Sequence, residues 1–495
     1  MDLAKTLNLQ SCESEQLHLS GAIQAFGALI RIDAASARIT HASENLVQFL
    51  GLDPFSIVGR SADVLTWLRP EIFRSLAERS GLRLMIRGVA ERPSGRIDAL
   101  VIRGTDGIVI ELEKHLAVDD TIQVQQLQSF LSSAPGNATE LHEYQRQLVR
   151  GVRIITGFDR VMIYRFLEDW SGEVIAEETV DGFGSYLGQR FPAGDIPAIA
   201  RDLYMINPSR MIADVKATSV ALLSEDGAPP DLTWSDLRSV SPLHVEYLSN
   251  MGVGASFSIP IRVSGRLWGL VACHHSEERW LSQDQRAASV VLSSLFSLGL
   301  SAYTSLDLMQ AIGDLEQPVE AICDKLSHRD NPLDGVAGIS LQLMALMRAQ
   351  GLAVAAKDEV VIAGEGPDPE GMGIIDRWFL HKNLESIFVS DHLESIFSGQ
   401  PILLALASGM LAFKFRSRRF GQIRFYWFRP SQLQEVVWAG NPNKSVEIGR
   451  GGAMLSPRRS FEKWIETRTG FSRPWSTIDI MAATMLYKYL LRLFK

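Results

Sequence analysis

Arg160-Val161-Met162-Ile163-Tyr164-Arg165-Phe166, entered from a helical stretch at Glu140 to Thr156, decides how the middle of this chain folds. A short run of β-branched and aromatic residues after a helix reads as a strand. The same unit closes with strands around Ala255 to Val263 and Leu267 to His274. On the N-terminal side, the polar stretch Ser129 to Thr139 contains Pro135-Gly136-Asn137 and reads as a connector. Before it, Gly21 to about Leu116 mixes strands (Ala28 to Asp33, Gly107 to Glu113) with helical segments such as Ser43 to Leu50. On the C-terminal side a long helix runs towards Glu316, Pro318 is expected to interrupt it, and a further helical stretch reaches about His328. A third unit begins near Asp334, with strands around Val360, Met410 to Phe415 and Gln422 to Phe428. Its last helix, roughly Thr477 to Phe494, stops abruptly at Lys495, as though a further domain attached there. Internal repeats are not found.

The 495 residues correspond to about three domains at roughly 150 residues each. With 46% hydrophobic and 21% charged residues the chain is globular, not disordered or fibrous. A net charge of −8 argues against whole-molecule attraction to nucleic acid or anionic lipid. Cys12, Cys273 and Cys323 are too few and too scattered for a disulfide framework or a four-cysteine zinc site, and they suit a reducing cytoplasm. Cys12 stands apart in a polar leader. The N-terminus carries no secretory signal. Ala287 to Leu306 is uncharged, but Ser289, Ser293, Ser297, Ser301 and Ser305 form a stripe at i+4 spacing, with Val291, Leu292, Leu295, Leu298 and Ala302 on much of the other face. That is an amphipathic helix with a small-residue stripe suited to close helix approach, and not a membrane span.

Several catalytic look-alikes dissolve on inspection. Gly182-Phe-Gly184-Ser-Tyr-Leu-Gly188 is one residue too long for a dinucleotide fingerprint, and no βαβ unit frames it. Gly449-Arg450-Gly451-Gly452 lacks the Lys-Ser/Thr of a phosphate loop and reads as a hairpin tip. Cys273-His274-His275 ends a strand, so successive side chains face opposite ways and cannot chelate one metal together. Neither a GxSxG elbow nor an HExxH helix is present. Phe413 to Arg429 mixes bases with aromatics as nucleic-acid platforms do, but reads more simply as two strands with a buried aromatic face and a solvated basic face.

One cluster resists dismissal. Asp195 sits between prolines in Phe191-Pro192-Ala193-Gly194-Asp195-Ile196-Pro197, His244 follows Ser241-Pro242-Leu243, and His274 ends an apolar strand. Arg210 and Arg238 lie in the same unit, and Tyr164, Tyr204 and Tyr247 supply aromatic surface. Two arginines, two histidines and a carboxylate suit a flat conjugated ligand bearing carboxylates: guanidinium forks match carboxylates, and histidine and aspartate serve pyrrole NH and carbonyl groups.

Ordered motifs run through the chain: Cys12-Glu13 and Gly21-Ala-Ile-Gln24; Phe158 to Tyr164; Asp195-Ile-Pro197; Ser241-Pro-Leu-His244 with Tyr247-Leu248; Asn250-Met-Gly-Val253; Leu267 to His274; Trp427-Phe-Arg-Pro430; Trp438-Ala-Gly440; Pro457-Arg458-Arg459-Ser460-Phe461; and Trp464-Ile-Glu466. Together they resemble the bacterial phytochromes, light sensors carrying a linear tetrapyrrole. The resemblance covers nearly the whole chain and implies an α+β fold of three consecutive domains, each an antiparallel sheet with flanking helices, joined by long helices. A leader and PAS domain would occupy residues 1–128, a bilin-binding GAF domain 129–315, and a PHY domain 316–495, with a hairpin or tongue at about 427–466.

What the resemblance implies is specific. Cys12 would form a thioether with a vinyl group of biliverdin IXα; Leu243 stands where plant and many cyanobacterial relatives place the attaching cysteine. The Asp195 main-chain carbonyl and His244 would contact the pyrrole nitrogens, and His274 the D-ring carbonyl. Tyr164, Phe191 and Tyr204 would line the D-ring space, while Arg210, Arg238, Ser256 and Ser258 would hold the propionates with Tyr247 close by. Light would isomerise the bond between rings C and D. Asp195 would pair with Arg458 in the red-absorbing state and with Ser460 in the far-red-absorbing state, as the tongue converts from strand to helix. Motif residues for both states are present, so the dark state stays open. The resemblance further implies a cytoplasmic homodimer through GAF and PHY helices, an output module of histidine-kinase type with a response regulator, no catalytic residues in this chain, and no nucleic-acid or membrane partner. Ala25-Phe26 replaces the common Pro-His, and Gly194 a common serine, departures expected to alter spectral tuning and thermal reversion. Pro260 removes a ladder donor from a core strand. A metabolite-binding PAS/GAF regulatory module would require neither Cys12 nor the tongue motifs, and a tetrapyrrole reductase or lyase lacks a nicotinamide or metal motif.

Overall fold

The structure, a computed structural model, describes residues 16–494 except 70, 73–75, 77–78, 117–120, 328–331, 383–386, 395, 400–404, 443–445, 450–451, 456–457 and 459. The chain forms two units: residues up to Tyr303 together with Val437–Trp464, and Thr304–Val436 together with Ile465–Lys495.

In the first unit, β1 (Ala22–Ile23), β2 (Gly27–Asp33), β3 (Ile39–Ser43), β4 (Arg83–Arg92), β5 (Gly95–Arg103), β6 (Gly107–Lys114) and β11 (Val220–Ser224) make one sheet in the order β1-β11-β3-β2-β6-β5-β4. Its pairings are antiparallel. Alternation gives the sheet two faces. Ala28, Ile30, Ile32, Ala99, Val101, Ile110 and Leu112 pack against Leu46 and Phe49 of α1 (Leu46–Leu50) and Ile57 of α2 (Pro54–Ile57). The other face carries Leu29, Leu100, Ile102 and Val109 against Ile23, Leu232 and Leu237. It also buries three acids, Asp98, Glu111 and Glu113. Burial of a charge is tolerated only with partners, and Glu113 receives two hydrogen bonds of 2.6 Å from Arg286.

After α3 (Thr121–Phe130), α4 (Ala138–Thr156) begins where the Asn137 side chain accepts the Glu140 N–H and ends at Gly157 with φ 63°. Beside it lie β7 (Arg160–Phe166), β8 (Gly172–Thr179), β9 (Arg190–Phe191), β10 (Arg210–Ile212), β12 (Ala255–Val263) and β13 (Arg266–His275), in the order β10-β12-β13-β7-β8-β9. The connections between β9 and β12 carry α5 (Ala198–Ile206) and α6 (Pro242–Asn250). Val161, Ile163, Phe257, Ile259, Ile261, Val271 and Cys273 point to one face and pack against α4 and the first part of α7 (Gln283–Ser327). Pro260 lies two residues past Ser258, the end of the stretch paired with β10.

One expectation about α7 is corrected. The helix continues through Pro318. The lost hydrogen bond is offset because Leu315, Val319, Ile322, Cys323 and Leu326 keep one buried face on either side of the proline. The serine stripe, moreover, turns inward at Ser289 and Ser293, both buried with Leu292, Phe296 and Leu300, while Leu298 is 69% exposed. Small side chains let the helix approach the sheet, and Ser289, Ser297 and Ser301 satisfy their hydroxyls on carbonyls one turn back. By length and composition α7 could cross a membrane; its buried set shows an ordinary core helix at its start.

In the second unit, α8 (Pro332–Leu346), β14 (Gly351–Ala356), β15 (Glu359–Gly364), α9 (Pro369–His381), β16 (Ile387–Ser390), β17 (Gly409–Ser417) and β18 (Gly421–Arg429) give a sheet in the order β15-β14-β18-β17-β16. Phe413, Phe415, Phe425 and Trp427 face α8 and α10 (Thr477–Leu493), which starts in a capping box of Ser476 and Asp479. Met410, Ala412, Tyr426 and Phe428 face α9. Both faces are therefore covered along most of the two strands, and the solvated bases are confined to Arg416, Arg418 and Arg419 around the β17–β18 turn. Arg424 is paired with Asp376 at 2.7 Å, Lys414 donates to the Phe379, Leu380 and Lys382 carbonyls at the end of α9, and Arg429 is bonded to Asp479 at 3.0 Å. Trp427 is a core residue whose Nε1 donates to the Leu343 carbonyl at 2.9 Å.

Beyond β18 come β19 (Gln432–Ala439), β20 (Val446–Gly449), β21 (Gly452–Leu455) and β22 (Lys463–Phe471). β20 and β21 pair antiparallel with Gly449 opposite Gly452. Trp438 adds a parallel bridge to Arg190 of β9.

Candidate functional site

Because side chains alternate, the face of the second sheet opposite its core collects a separate set. Arg210 stands opposite Ser258, and Ser258 opposite Ala272; Ile212 stands opposite Ser256, Ser256 opposite His274, and His274 opposite Arg160. Tyr164, four residues along β7 from Arg160, shares that face, and Cys273 and His275 do not. No group of three or more potential metal ligands occurs among the described residues. Cys273 and Cys323 are buried free thiols, the latter pushed up to about 12 by burial and then by Asp324 and Glu320.

At one end of this face the charges are cationic. Arg238 is buried and Arg210 half-buried, and their guanidinium groups reach main-chain carbonyls. Arg210 donates to Asp236 O (3.2 Å), Arg238 O (2.6 Å) and Ser239 O (2.9 Å), and Arg238 donates to Leu232 O at 3.3 Å. Among the described residues neither has a carboxylate partner. Burial and then the neighbouring Arg210 push Arg238 down to about 9. Two desolvated cations side by side suit a ligand with carboxylates. Tyr204 shares a hydrogen bond with Ser258, and burial raises its phenol. Gln24 of the Gly21-to-Gln24 motif donates to Met211 O at 2.9 Å and to Arg238 O at 3.3 Å.

At the centre are two neutral histidines. Burial, then Arg210, pushes His244 down to about 4; burial, then Arg160 and His244, pushes His274 well below its usual value. Arg160 Nη2 lies 3.1 Å from His274 Nδ1. A guanidinium can only donate, so Nδ1 accepts and the ring proton sits on Nε2. Arg160 is itself buried, with its guanidinium 4.2 Å from the Tyr186 ring centroid and 4.7 Å from that of Phe183.

The other end is aromatic and acidic. Tyr164 is buried against Phe166 and Phe191, and its hydroxyl has no hydrogen-bond partner among the described residues. Gly172 makes room for it: a Cβ there would stand 1.7 Å from Tyr164 Cζ. The Tyr247 hydroxyl donates to Asp195 Oδ2 at 2.9 Å, and the Tyr247 ring stacks 5.9 Å from His244. Arg458 ion-pairs with the same Asp195 oxygen and also donates to the Ala439 carbonyl. Burial pushes the Asp195 carboxyl up, while Arg458 and Tyr247 pull it back. Ser460 is exposed and its Oγ accepts the Glu462 N–H at 3.4 Å. Among the described residues nothing lies within 4 Å of a Cβ added at Gly194.

Tyr164, Phe191, Asp195, Tyr204, Arg210, Arg238, His244, Tyr247, Ser256, Ser258, His274 and Arg458 thus belong to one unit and one side of its sheet. Ser460 is exposed with its Oγ on the Glu462 N–H, and Cys12 lies outside the described residues, as do Pro457 and Arg459. Arg160 was not singled out from sequence, although its two-residue spacing from Met162 and Tyr164 would have placed it on the same face. Glu111 and Ser235, whose hydrogen bonds fix the loop carrying Arg238, left no sequence signal.

Family comparisons agree with this architecture. The chain matches a PAS fold over residues 12–115, a GAF domain over 140–299 and a phytochrome region over 315–495. This succession defines a three-domain sensory core. Cyanobacterial phytochrome A of Nostoc sp. is 32% identical over 98% of this chain and 65% of its own length. A bacteriophytochrome of Xanthomonas campestris is 30% identical over 97% of this chain and 78% of its own length. The photosensory core module of a Stigmatella aurantiaca phytochrome superposes with a TM-score of 0.83 at 31% identity, over 97% of both chains. The chain belongs to the phytochrome family of photoreceptors. It spans about 65% of the length of the first curated relatives it matches.

Proposed function

We propose that this chain is the photosensory core of a red/far-red light receptor that holds biliverdin IXα, joined through a thioether to Cys12. The observation that carries the reading is the pair Arg210 and Arg238, desolvated and bonded to main-chain carbonyls, beside two neutral histidines and an unpartnered tyrosine hydroxyl. That donor set fits a bilin: cations for two propionates, ring nitrogens and an Nε2–H for pyrrole and carbonyl groups, and apolar rings around the rest. When bound, the bilin supplies the photochemistry, a Z/E isomerisation between its C and D rings. The protein's own part is to orient and to switch. Arg210, Arg238, Ser256 and Ser258 fix the carboxylate end. His244 and the Asp195 main chain serve the pyrroles, and His274, with Arg160 on its Nδ1, presents a proton on Nε2. Tyr164, Phe191 and Tyr204 leave a mobile ring space at the other end. The Asp195–Arg458 pair matches the red-absorbing arrangement of the family, and exchange of Arg458 for Ser460 at Asp195 would release the 437–464 segment.

In the full-length protein this core would act as a cytoplasmic homodimer through its long helices, with Leu298 and Val291 offering exposed apolar surface on α7. It would signal to a C-terminal output module of histidine-kinase type and a response regulator. The core itself would have no catalytic residues and no nucleic-acid or membrane partner. Protein produced together with a heme oxygenase is expected to be coloured, to show a red/far-red difference spectrum, and to give zinc-induced fluorescence on a denaturing gel that disappears in Cys12→Ser. Wild-type protein that stays colourless with biliverdin overturns the reading.

A further inference from the structure

The carboxyl group of Glu111 is fully buried in β6, on the sheet face turned to the loop that carries Arg238. Its Oε1 accepts the Ser235 hydroxyl at 2.5 Å and the Leu237 N–H at 3.1 Å, while its Oε2 has no hydrogen-bond partner among the described residues. Ser235 Oγ in turn accepts the Arg238 N–H at 3.1 Å. The carbonyls of the same turn, Asp236 O and Arg238 O, hold the Arg210 guanidinium. One carboxyl oxygen therefore fixes the turn that positions both arginines of the cationic end.

The charges around Glu111 come from six elements. Glu113 lies on its own strand, bound by Arg286 of α7, and Asp98 lies on β5 opposite Glu113. Asp236 is in the loop, ion-paired with Arg83 of β4 at 2.6 Å. Arg238 and Arg210 face it from the loop and from β10. The flanking residues directly opposite Glu111, Leu29 of β2 and Leu100 of β5, are apolar. Burial first, and the Asp236 charge second, push Glu111 up to about 7. The Ser235 and Leu237 hydrogen bonds and the Arg83 charge pull it back, and a negative Glu111 adds to what keeps Arg210 and Arg238 charged, an attraction that acts equally on Glu111. A ligand carboxylate that neutralises those arginines removes part of what keeps Glu111 ionised.

We propose that Glu111 is a proton-linked positioning residue of the two-arginine site: it fixes the Ser235–Leu237 turn, and binding of a dicarboxylate ligand at Arg210 and Arg238 draws one proton from solvent onto Glu111. The proposal rests on the assignment of the bilin propionates to those arginines. It goes beyond it by coupling the chromophore's carboxylates to a titrating acid on the neighbouring sheet.

The test is calorimetric titration of wild type and Glu111→Gln with biliverdin near pH 7.5, in two buffers of different ionisation enthalpy, which counts protons taken up. Glutamine keeps an acceptor for both hydrogen bonds, and thioether formation contributes equally in the two proteins. Wild type is expected to take up more protons than the variant, by a fraction of one per biliverdin because part of Glu111 is already protonated at pH 7.5, and the difference is expected to vanish with biliverdin dimethyl ester. Equal uptake by both proteins overturns the proposal while leaving the photoreceptor reading intact; no binding to wild type overturns both. The protein without chromophore provides a second readout. An infrared carboxylic-acid band titrating near neutrality should be missing from Glu111→Gln, and its persistence there assigns the proton elsewhere and overturns the proposal.

Discussion

Replacing Arg458 with methionine strands a carboxylate. The Arg458 and Asp195 side chains are only 5% and 11% exposed, so the pair obeys the energetics of buried ions and not those of surface bridges. With the guanidinium gone, Asp195 keeps the Tyr247 hydroxyl at 2.9 Å and nothing cationic at contact. Leaving a buried charge unpaired costs about 3–5 kcal/mol. Protonation limits this: neutralising an ordinary aspartate at pH 7 costs roughly 4 kcal/mol. The expected loss is therefore ~3–4 kcal/mol, a few-hundred-fold in an equilibrium constant. Arg458 also donates to Ala439 and stands 5.1 Å from the Phe461 ring centroid, so its removal acts locally on Val437–Trp464. Hydrogen exchange and limited proteolysis of that segment should report more frequent opening by about this factor at pH 7, and by less at pH 5, where protonation is cheaper. Asp195→Asn combined with Arg458→Met should be less open than the sum of the single effects requires. Additivity within about 0.5 kcal/mol, or a pH-independent effect, would refute the assignment of a coupled buried pair.

Gly172→Ala would drive Cβ into the Tyr164 ring and displace it, with a destabilisation of about 1–3 kcal/mol read as a lower thermal midpoint; an unchanged midpoint would show that Tyr164 has room to move. His244 stays neutral in the folded protein down to about pH 4, whereas the unfolded chain takes up its proton below about 6.5. Its contribution to stability is therefore complete above pH 6.5 and is lost as pH falls towards 4, by at most about 3 kcal/mol. Denaturant midpoints measured across that range should fall less steeply for His244→Gln than for wild type, and parallel curves would assign the acid lability to other groups.

Much of the fold was legible because two-residue alternation is a local property. Val161, Ile163, Phe257, Ile259 and Val271 announce a core face without knowledge of their partners, and the helix at Ala138–Thr156 was recognisable to within two residues at its start. Pro318 and the outward Leu298 of α7 escape local rules for one reason. Local rules price a proline and rank serine below leucine, but packing against a sheet decides whether the helix continues and which side is buried. The sequence places Lys414, Arg424 and Arg429 in solvent, unlike the fold, because their acceptors, Asp376, Asp479 and the carbonyls ending α9, are distant in sequence.

By itself the sequence determined the order of three domains, the family, and the residue types a carboxylate-bearing ligand requires. Strand register placed Arg160 behind His274, and tertiary packing of loops decided the rest: that Arg458 reaches Asp195 in this conformation, and that Glu111 braces the turn beneath the two arginines. These contacts join residues between 100 and 300 positions apart. The energy of a buried charge depends on every group within a few ångströms of it, and only the folded chain supplies those neighbours.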